Sequence, residues 1–580
     1  MLFSQVAEIF SEIEREPSRL EMSAKIANLL AKCEQDEIKP LIYIMEGSIA
    51  PPYEGLDIGI GEKFAIRSIS QVSGQDQKIV EGYFKKLGDL GSAAEEVLKR
   101  KKQTSLGFTP NTIQKVYQSF LKIARLFGPG SQEAKISVLS ELLNGATPLE
   151  ARYLVRFCLG KLRLGVGDPT IIDALSMLKK GSKEDKDMIE RAFNLCSDMG
   201  EVAQAYLAGK DLSKFTPTPG KPIRPALAER LSSAEEILEK MGGRCAVEAK
   251  YDGLRMQVHV YGKKVEIFSR RLEKMTEMFP EITEAAADLK VQQIIFEGEA
   301  LAYSKKEKRY MSFQETIQRK RKYGVDMMAK EFPLQLFVFD ILYLDGQDMT
   351  LQPYKKRREE LEKIFSKSTI LIPAQQIIAE SKKQLEEYFQ KCVLEGLEGI
   401  IAKDLEQPYI AGARKFAWIK LKKSYGEMVD TIDAVIVGYY LGKGQRKEFE
   451  FGGLLAAVLN AENGNLETIA KIGSGFSEEE MKNLESMLSK IRIKQKPPEV
   501  ISELEPDFWV EPKYVVTVAA DEITLSPVHT CGKGENPEAK GYALRFPRMI
   551  SIRQDKGPDE ATTTQEILRM YEMQKKRDLN

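Results

Sequence analysis

At 580 residues the chain is too long for one compact core and suits about three domains. Hydrophobic residues at 43% exclude disorder as the default state, and 86 Lys plus Arg against 86 Asp plus Glu exclude a globally basic surface, so a polyanionic partner must be held by local patches. The runs Lys99–Lys102, Arg319–Lys322 and Lys355–Arg358 are candidates, although such runs are more often solvated helix faces. The six cysteines lack C-x-x-C pairing, which disfavours a disulfide framework and a four-cysteine zinc site. No apolar run is long enough to span a bilayer, so a reducing, cytoplasmic setting and no membrane partner are expected.

From Met1 to Leu212 helical periodicity dominates, and residues 1–212 are expected to form an all-α domain. Within Ser131–Leu162 apolar residues recur three and four apart, and Thr147-Pro148-Leu149-Glu150 reads as a helix start with a capping box. The prolines of Ser213–Pro225 break helices and mark residues 213–225 as a linker. Residues 226–427 then read as mixed α+β, with period-two segments at Met256–Val260 and Val265–Phe268 joined by a turn at Gly262. Short strands are expected at Ile294–Phe296, Leu334–Leu344 and Gly399–Ala402. Around Tyr425–Asp430 the chain becomes strand-rich, and residues 428–580, beginning with Asp433–Tyr440 and Gly453–Leu459, are expected to form a small β-barrel with a helix over Glu560–Gln574.

The first string with chemical content is Glu248-Ala249-Lys250-Tyr251-Asp252-Gly253-Leu254-Arg255. On an extended chain Glu248, Lys250 and Asp252 project to one face. A lysine attacks phosphorus only as a free amine, so it needs a nearby cation or metal, and Gly253 lets a substrate approach the backbone. Taken alone, the string reads more readily as surface. In Trp418-Ile419-Lys420-Leu421-Lys422 the two lysines share one strand face while the aliphatic pair packs inward, an arrangement suited to a phosphate or, equally, to solvent. Glu299 and Glu398, each placed at the end of an apolar strand segment, suit either Mg²⁺ beside a triphosphate or structural salt bridges. Phe339 lies in so apolar a segment that core packing is its natural reading.

In order along the chain come Phe268-Ser269-Arg270-Arg271, Phe296-Glu297-Gly298-Glu299, Phe337-Val338-Phe339-Asp340, Glu398-Gly399-Ile400-Ile401-Ala402-Lys403, the Arg414–Lys422 strand and Arg548 to Lys556. This ordered set resembles the motif series of the covalent nucleotidyltransferases, which comprise DNA ligases, RNA ligases and mRNA capping enzymes. The resemblance implies that Lys250 carries AMP as a covalent intermediate and that Glu248 contacts adenine. It also implies that Phe339 is an aromatic platform with an aliphatic residue near Ile401 on the opposite face. Arg255, Arg270 and Arg414 match arginines that bind ribose or phosphate, Lys420 and Lys422 would take phosphate, and Glu299 and Glu398 would hold Mg²⁺ or Mn²⁺. Arg548, Arg553, Asp555 and Lys556 match a closing motif that covers the triphosphate and then swings away.

Four further strings, Gly160-Lys161-Leu162-Arg163-Leu164-Gly165, Gly438–Gly444, Lys471–Phe476 and Phe546-Pro547-Arg548, resemble the archaeal and eukaryotic replicative type of ATP-dependent DNA ligase. They imply a helical DNA-binding domain, with Arg163 and Gly165 near phosphate, and a C-terminal oligonucleotide-binding (OB) fold. The same resemblance implies a monomeric enzyme that seals nicks in double-stranded DNA in replication, recombination and repair, using ATP, with a sliding clamp as an open partner. RNA ligases and GTP-using capping enzymes stay as alternatives, against which the long helical domain speaks. A catalytically dead DNA-bridging module is a third reading, and the intact Lys250, Glu299, Glu398, Lys420 and Lys422 argue against it. ADP or NAD⁺ as a further AMP donor stays open.

Overall fold

The computed structural model describes residues 1–16, 18–100, 109–180, 184–231, 233–304, 309–311, 316–320, 325–422, 431–442, 451–535 and 540–578. The expected domain switch at 425–430, the ends of the basic runs at 101–102 and 321–322, and residues 443–444 lie outside the described residues, as does the side chain of Arg414. The chain forms two compact units, Met1–Phe193 with Asp198–Phe215 and Ile493–Glu499, and Asn194–Ser197 with Thr216–Arg492 and Val500–Asn580. Among the described residues no helix is long and apolar enough to cross a membrane.

The first unit is helical, from Phe3–Ile13 to Met199–Leu207; in Phe3–Ile13 and Ile113–Ala124 the apolar residues fall on one buried face, while Gln35–Met45 is buried on all sides in its last six residues. Ser131–Asn144 and Pro148–Cys158 are two helices, and the second begins at the anticipated capping box. The Glu150 amide donates to Thr147 Oγ1 at 3.2 Å and the Thr147 amide donates to Glu150 Oε2 at 2.7 Å. A cap of this kind stabilises a helix by about 1 kcal/mol. Phe120 and Phe157 stack at 4.3 Å and Phe10 meets Tyr153 edge-on at 5.5 Å, which locks the helices at their cores.

In the second unit the central residues build two sheets. Their strands are β1 (Leu227–Arg230), β2 (Cys245–Lys250), β3 (Leu254–Tyr261), β4 (Lys264–Ser269), β5 (Gln293–Ser304), β6 (Arg309–Tyr310), β7 (Leu334–Leu344), β8 (Gln347–Asp348), β9 (Leu371–Pro373), β10 (Gln376–Ala379), β11 (Gly399–Lys403) and β12 (Arg414–Lys422). One sheet has the order β1-β12-β11-β2-β10, the other β4-β3-β5-β7-β8 with β6 beside β5 and β9 beside β7. Period-two alternation decides what each face does. Val247, Ala249, Ile400, Ala402, Ile419 and Leu421 pack in one core with residues of the helices Ala234–Lys240 and Lys382–Leu394, which leaves Glu248, Lys250, Lys420 and Lys422 on the other face. Met256, Phe296, Leu336 and Val338 build a second core with Leu361 and Phe365.

Several expectations need correction. β5 runs from Gln293 to Ser304, so Glu299 lies in a strand interior and not at a strand end, because alternation continues past the apolar run that marked it. β2 stops at Lys250, and Asp252 belongs to the tight β2–β3 connection. Of the run Lys355–Arg358, Arg357 and Arg358 are buried, so half of it is neither a solvated face nor a surface patch. Arg319 is likewise buried, ion-paired to Glu281 at 2.5 Å. The terminal helix spans Thr564–Asp578, four residues later at each end than anticipated.

Residues 216–226 run along the seven-stranded sheet. The Gly220 amide donates to His259 Nδ1 at 3.0 Å, while Gln257 takes the Ile223 amide at 2.7 Å and returns a bond to its carbonyl at 2.9 Å. Proline leaves few amides to satisfy, and these side chains take two of those that remain.

The C-terminal part of this unit is β-rich. β13 (Ile432–Tyr440), β14 (Gly453–Leu459) and β15 (Leu466–Ile472) pair antiparallel in order, and β13 also pairs with Val515–Ala519, which pairs with Arg548–Arg553. Ile436, Leu454, Val458, Ile469 and Val518 share its core.

Candidate active site

Register across the five-stranded sheet creates the site. On β11, Gly399 lies opposite Lys250 of β2 on one side and Lys422 of β12 on the other. A side chain is barred there, since a Cβ would sit 2.1 Å from the Leu421 carbonyl oxygen and φ is +148°. Glu398, the preceding residue, ion-pairs with Lys250 and meets Lys422 at 2.5 Å. Burial pushes its carboxyl up, but the two ammonium groups outweigh burial and hold it well below the usual carboxylate range.

One rung along, Ile401 stands between Glu248 and Lys420, and beyond it Lys403 pairs with Trp418. Across from this face the second sheet contributes Glu299 from β5, Phe339 from β7 and Arg255 from β3, and together they enclose a cavity of about 460 Å³. Phe339 is half-buried and lines this cavity together with Ile401, so the structure brings the expected platform and its aliphatic counterpart to one space. The Phe339 and Trp418 rings meet edge-on at 5.9 Å. The Phe337 ring, two residues earlier, is buried outside the cavity lining and stacks on Tyr251 at 4.2 Å.

Glu299 accepts the Gly253 amide at 3.2 Å. Burial raises its carboxyl to about 7 in spite of Lys250, Arg255 and Arg270. Asp252 is also raised, by burial first and by Glu398 second. Among the described residues no three acidic, His or Cys side chains form a ready-made metal centre. The donor set nevertheless fits a hard divalent ion of the Mg²⁺ class. It supplies carboxylate oxygens, and burial disfavours the charge on two of the three, Glu299 and Asp252, which a bound cation would offset; such an ion keeps water and substrate phosphate as most of its ligands.

The other expected residues divide. Arg255 is partly buried, with its guanidinium on Glu297 at 2.8 Å and on the Ala226 carbonyl at 2.9 Å, 5.3 Å from the centre of the Phe339 ring. Arg270 pairs with Glu560, and Arg271 donates to the carbonyl of Lys556. Arg553, Asp555 and Lys556 all line the cavity; Arg553 and Asp555 are joined by two bonds of 2.8 and 2.7 Å, and Lys556 pairs with Asp433. Burial lowers the Lys556 ammonium to about 8. Arg548 is not brought to the cavity, and its guanidinium pairs with Asp521 at 3.1 Å.

In the helical unit Arg163 has φ +60° and Gly165 φ +68°, so the turn they share is left-handed at both positions. The Arg163 guanidinium lies 3.5 Å from Asp89. Burial raises the Asp89 carboxyl, and Arg156 and Arg163 more than reverse that.

Three residues to which sequence reasoning assigned no role at this site surround Glu248, and of them Lys403 lines the cavity. Lys403 pairs with Glu248 at 2.7 Å, Arg358 approaches the same carboxylate at 3.4 Å, and the Tyr354 hydroxyl donates to it. A lysine two positions beyond Ile401 on one strand was the available signal for Lys403. Nothing local tied Tyr354 and Arg358 to Glu248, which lies 106 and 110 residues from them along the chain.

Residues 2–176 match the family described as DNA ligase N terminus, 225–422 the ATP dependent DNA ligase domain, and 447–556 the ATP dependent DNA ligase C terminal region. A probable DNA ligase of Dictyoglomus turgidum is 45% identical over 581 residues, covering 99% of this chain and 98% of that one. A DNA ligase of Sulfolobus acidocaldarius is 41% identical over 592 residues, covering 100% of this chain and 99% of its own. A probable DNA ligase of Aquifex aeolicus is 42% identical over 586 residues, covering 99% of each. With three consecutive family regions and full-length relatives around this cavity, the chain belongs to the ATP-dependent DNA ligases.

Proposed function

We propose that Lys250 is the residue that carries AMP in this ATP-dependent ligase. The observation that supports it most is the rung Lys250–Gly399–Lys422 with Glu398 beside it, at one part of a cavity that also holds the Phe339 ring. Attack needs the free amine, so the proton that Lys250 donates to Glu398 must leave before the P–N bond forms. Nζ then attacks the α-phosphorus of ATP and pyrophosphate departs. The AMP passes to the 5′-phosphate of a nick, restoring the amine, and the 3′-hydroxyl displaces AMP as the phosphodiester closes. Each step is a transfer at phosphorus, in which positioning and charge neutralisation dominate.

In this reading Lys420, Lys422, Arg270 and Arg414 hold phosphate or ribose, and Arg255 supports the base side of the cavity through its contacts. Glu299 and Glu398 would hold Mg²⁺ or Mn²⁺, with Asp252 beside them; when bound, such an ion neutralises charge on the phosphates. Arg553, Asp555 and Lys556 close over the triphosphate, and Arg163 and Gly165 meet the DNA backbone. The domain assignment is 1–212 for DNA binding, 226–427 for adenylation after the 213–225 segment, and 428–580 for the OB-fold domain. A cytoplasmic monomer acting in replication, recombination and repair, with a sliding clamp as partner, completes the proposal. Sealing assays on nicked DNA and nicked RNA, each with ATP or GTP, test it. Sealing of DNA with ATP is expected, and preferential sealing of RNA, or use of GTP alone, would overturn it.

A further inference from the structure

Lys403, the last residue of β11, is wholly buried and reaches three features at once. Its Nζ pairs with Glu248 Oε2 at 2.7 Å, donates to the Phe339 carbonyl oxygen at 2.9 Å, and lies 4.3 Å from the centre of the Trp418 ring. The charge is held at a cost: burial lowers the ammonium, and Glu248 and Asp340 only partly restore it. Lys403 thereby ties the strand that carries the Phe339 ring to the carboxylate beside it.

Glu248 is 2% exposed yet lines the cavity. Its second oxygen takes the Tyr354 hydroxyl and approaches Arg358 at 3.4 Å. A carboxylate set between two cations accepts hydrogen bonds and donates none, and of its roughly four lone-pair sites three are taken. The remaining site suits an N–H donor. Adenine presents an exocyclic amino group at position 6, where guanine presents a carbonyl whose lone pairs would face those of Glu248. A buried acceptor left facing a lone pair is strongly unfavourable, which is how a hydrogen-bonding site discriminates far better than an apolar one.

Building on the proposed contact between Glu248 and the base, we propose that Lys403 is a specificity-determining positioning residue. It holds Glu248 as an acceptor at a set distance from the Phe339 ring, so that the cavity takes a 6-aminopurine and rejects a 6-oxopurine. Tyr354 assists from the other carboxylate oxygen.

The test is single-turnover formation of the covalent nucleotidyl adduct from ATP and from GTP, in the full-length protein and in Lys403→Met, Tyr354→Phe and Glu248→Gln. Lys403→Met is expected to lower the ATP-to-GTP selectivity ratio by about tenfold or more, through a raised KM for ATP with the saturating rate within about threefold of the parent. Tyr354→Phe, which leaves no buried charge unpaired, is expected to lower the ratio less and decides the matter if Lys403→Met does not fold. Equal weakening of ATP and GTP with an unchanged ratio in both variants, the mark of a purely structural role, overturns the proposal. Glu248→Gln separates the two levels. If it too leaves the ratio intact, the assignment of Glu248 fails and takes the inference with it; if it alone relaxes the ratio, only the inference fails.

Discussion

Lys250 and Lys422 occupy the same rung of the five-stranded sheet, one on each side of Gly399, and both reach the carboxylate of Glu398. Two ammonium groups so placed repel each other, and Glu398 is what allows them to share a partly buried site. An arriving polyphosphate supplies negative charge in the same place. Replacing Glu398 by Gln removes the carboxylate and keeps the shape. Self-adenylation is expected to fall by about 100-fold, read as the initial rate of labelled adduct formation. A rate close to that of the parent would show that Glu398 only balances charge at rest.

Phe339 exposes part of its ring to the cavity, whereas Phe337 is buried against Tyr251. Stacking on a base contributes about 1–3 kcal/mol, so Phe339→Ala is expected to raise the KM for ATP by roughly 10- to 100-fold. Phe339→Leu should be intermediate. Phe337→Ala should instead lower the thermal midpoint by creating a core cavity. Reversal of these two outcomes would exchange the roles assigned to the rings.

Arg553 is bonded twice to Asp555, and both line the cavity with Lys556. If these groups serve the triphosphate and not the nick, Arg553→Ala should slow self-adenylation by about 100-fold while a nick that is already 5′-adenylylated is still sealed. Parallel loss of both activities would contradict that division. Arg548→Ala, outside the cavity, should leave adenylation unchanged.

The segment 216–226 predicts a pH dependence. Burial lowers His259 to about 3, below the ordinary value near 6.5. Between these values the unfolded chain binds a proton that the folded one refuses, so stability rises with pH there and is lost as pH falls below about 6.5. At pH 5 this single group should cost about 2 kcal/mol relative to pH 8. His259→Gln keeps an acceptor for the Gly220 amide, and calorimetry across this range should show a shallower acid-side decline. An unchanged slope would mean that His259 is not the group responsible.

What is legible in the sequence and what is not divides on physical grounds. Strand alternation and capping are local, so β7, β14 and the Thr147 helix start were legible, as was the shared face of Lys420 and Lys422. Asp252 was misplaced because alternation cannot reveal where a strand stops. The partners of the charged groups were not legible at all. Arg270 meets Glu560 and Lys556 meets Asp433 across 290 and 123 residues, and only the folded chain brings them together. The Lys355–Arg358 run shows the same limit, since burial of Arg357 against Asp340 and of Arg358 against Glu248 is invisible in a charge pattern.

The assignment of AMP to Lys250 is tested most directly on the amine itself. Lys250→Ala is incubated with ATP labelled in the α-phosphate, and the protein is isolated under conditions that preserve a phosphoramidate. No stable adduct is expected on the variant, which should still seal a 5′-adenylylated nick, and in the parent protein the label should fall on the peptide containing Lys250. An adduct of normal yield on Lys250→Ala would contradict the assignment.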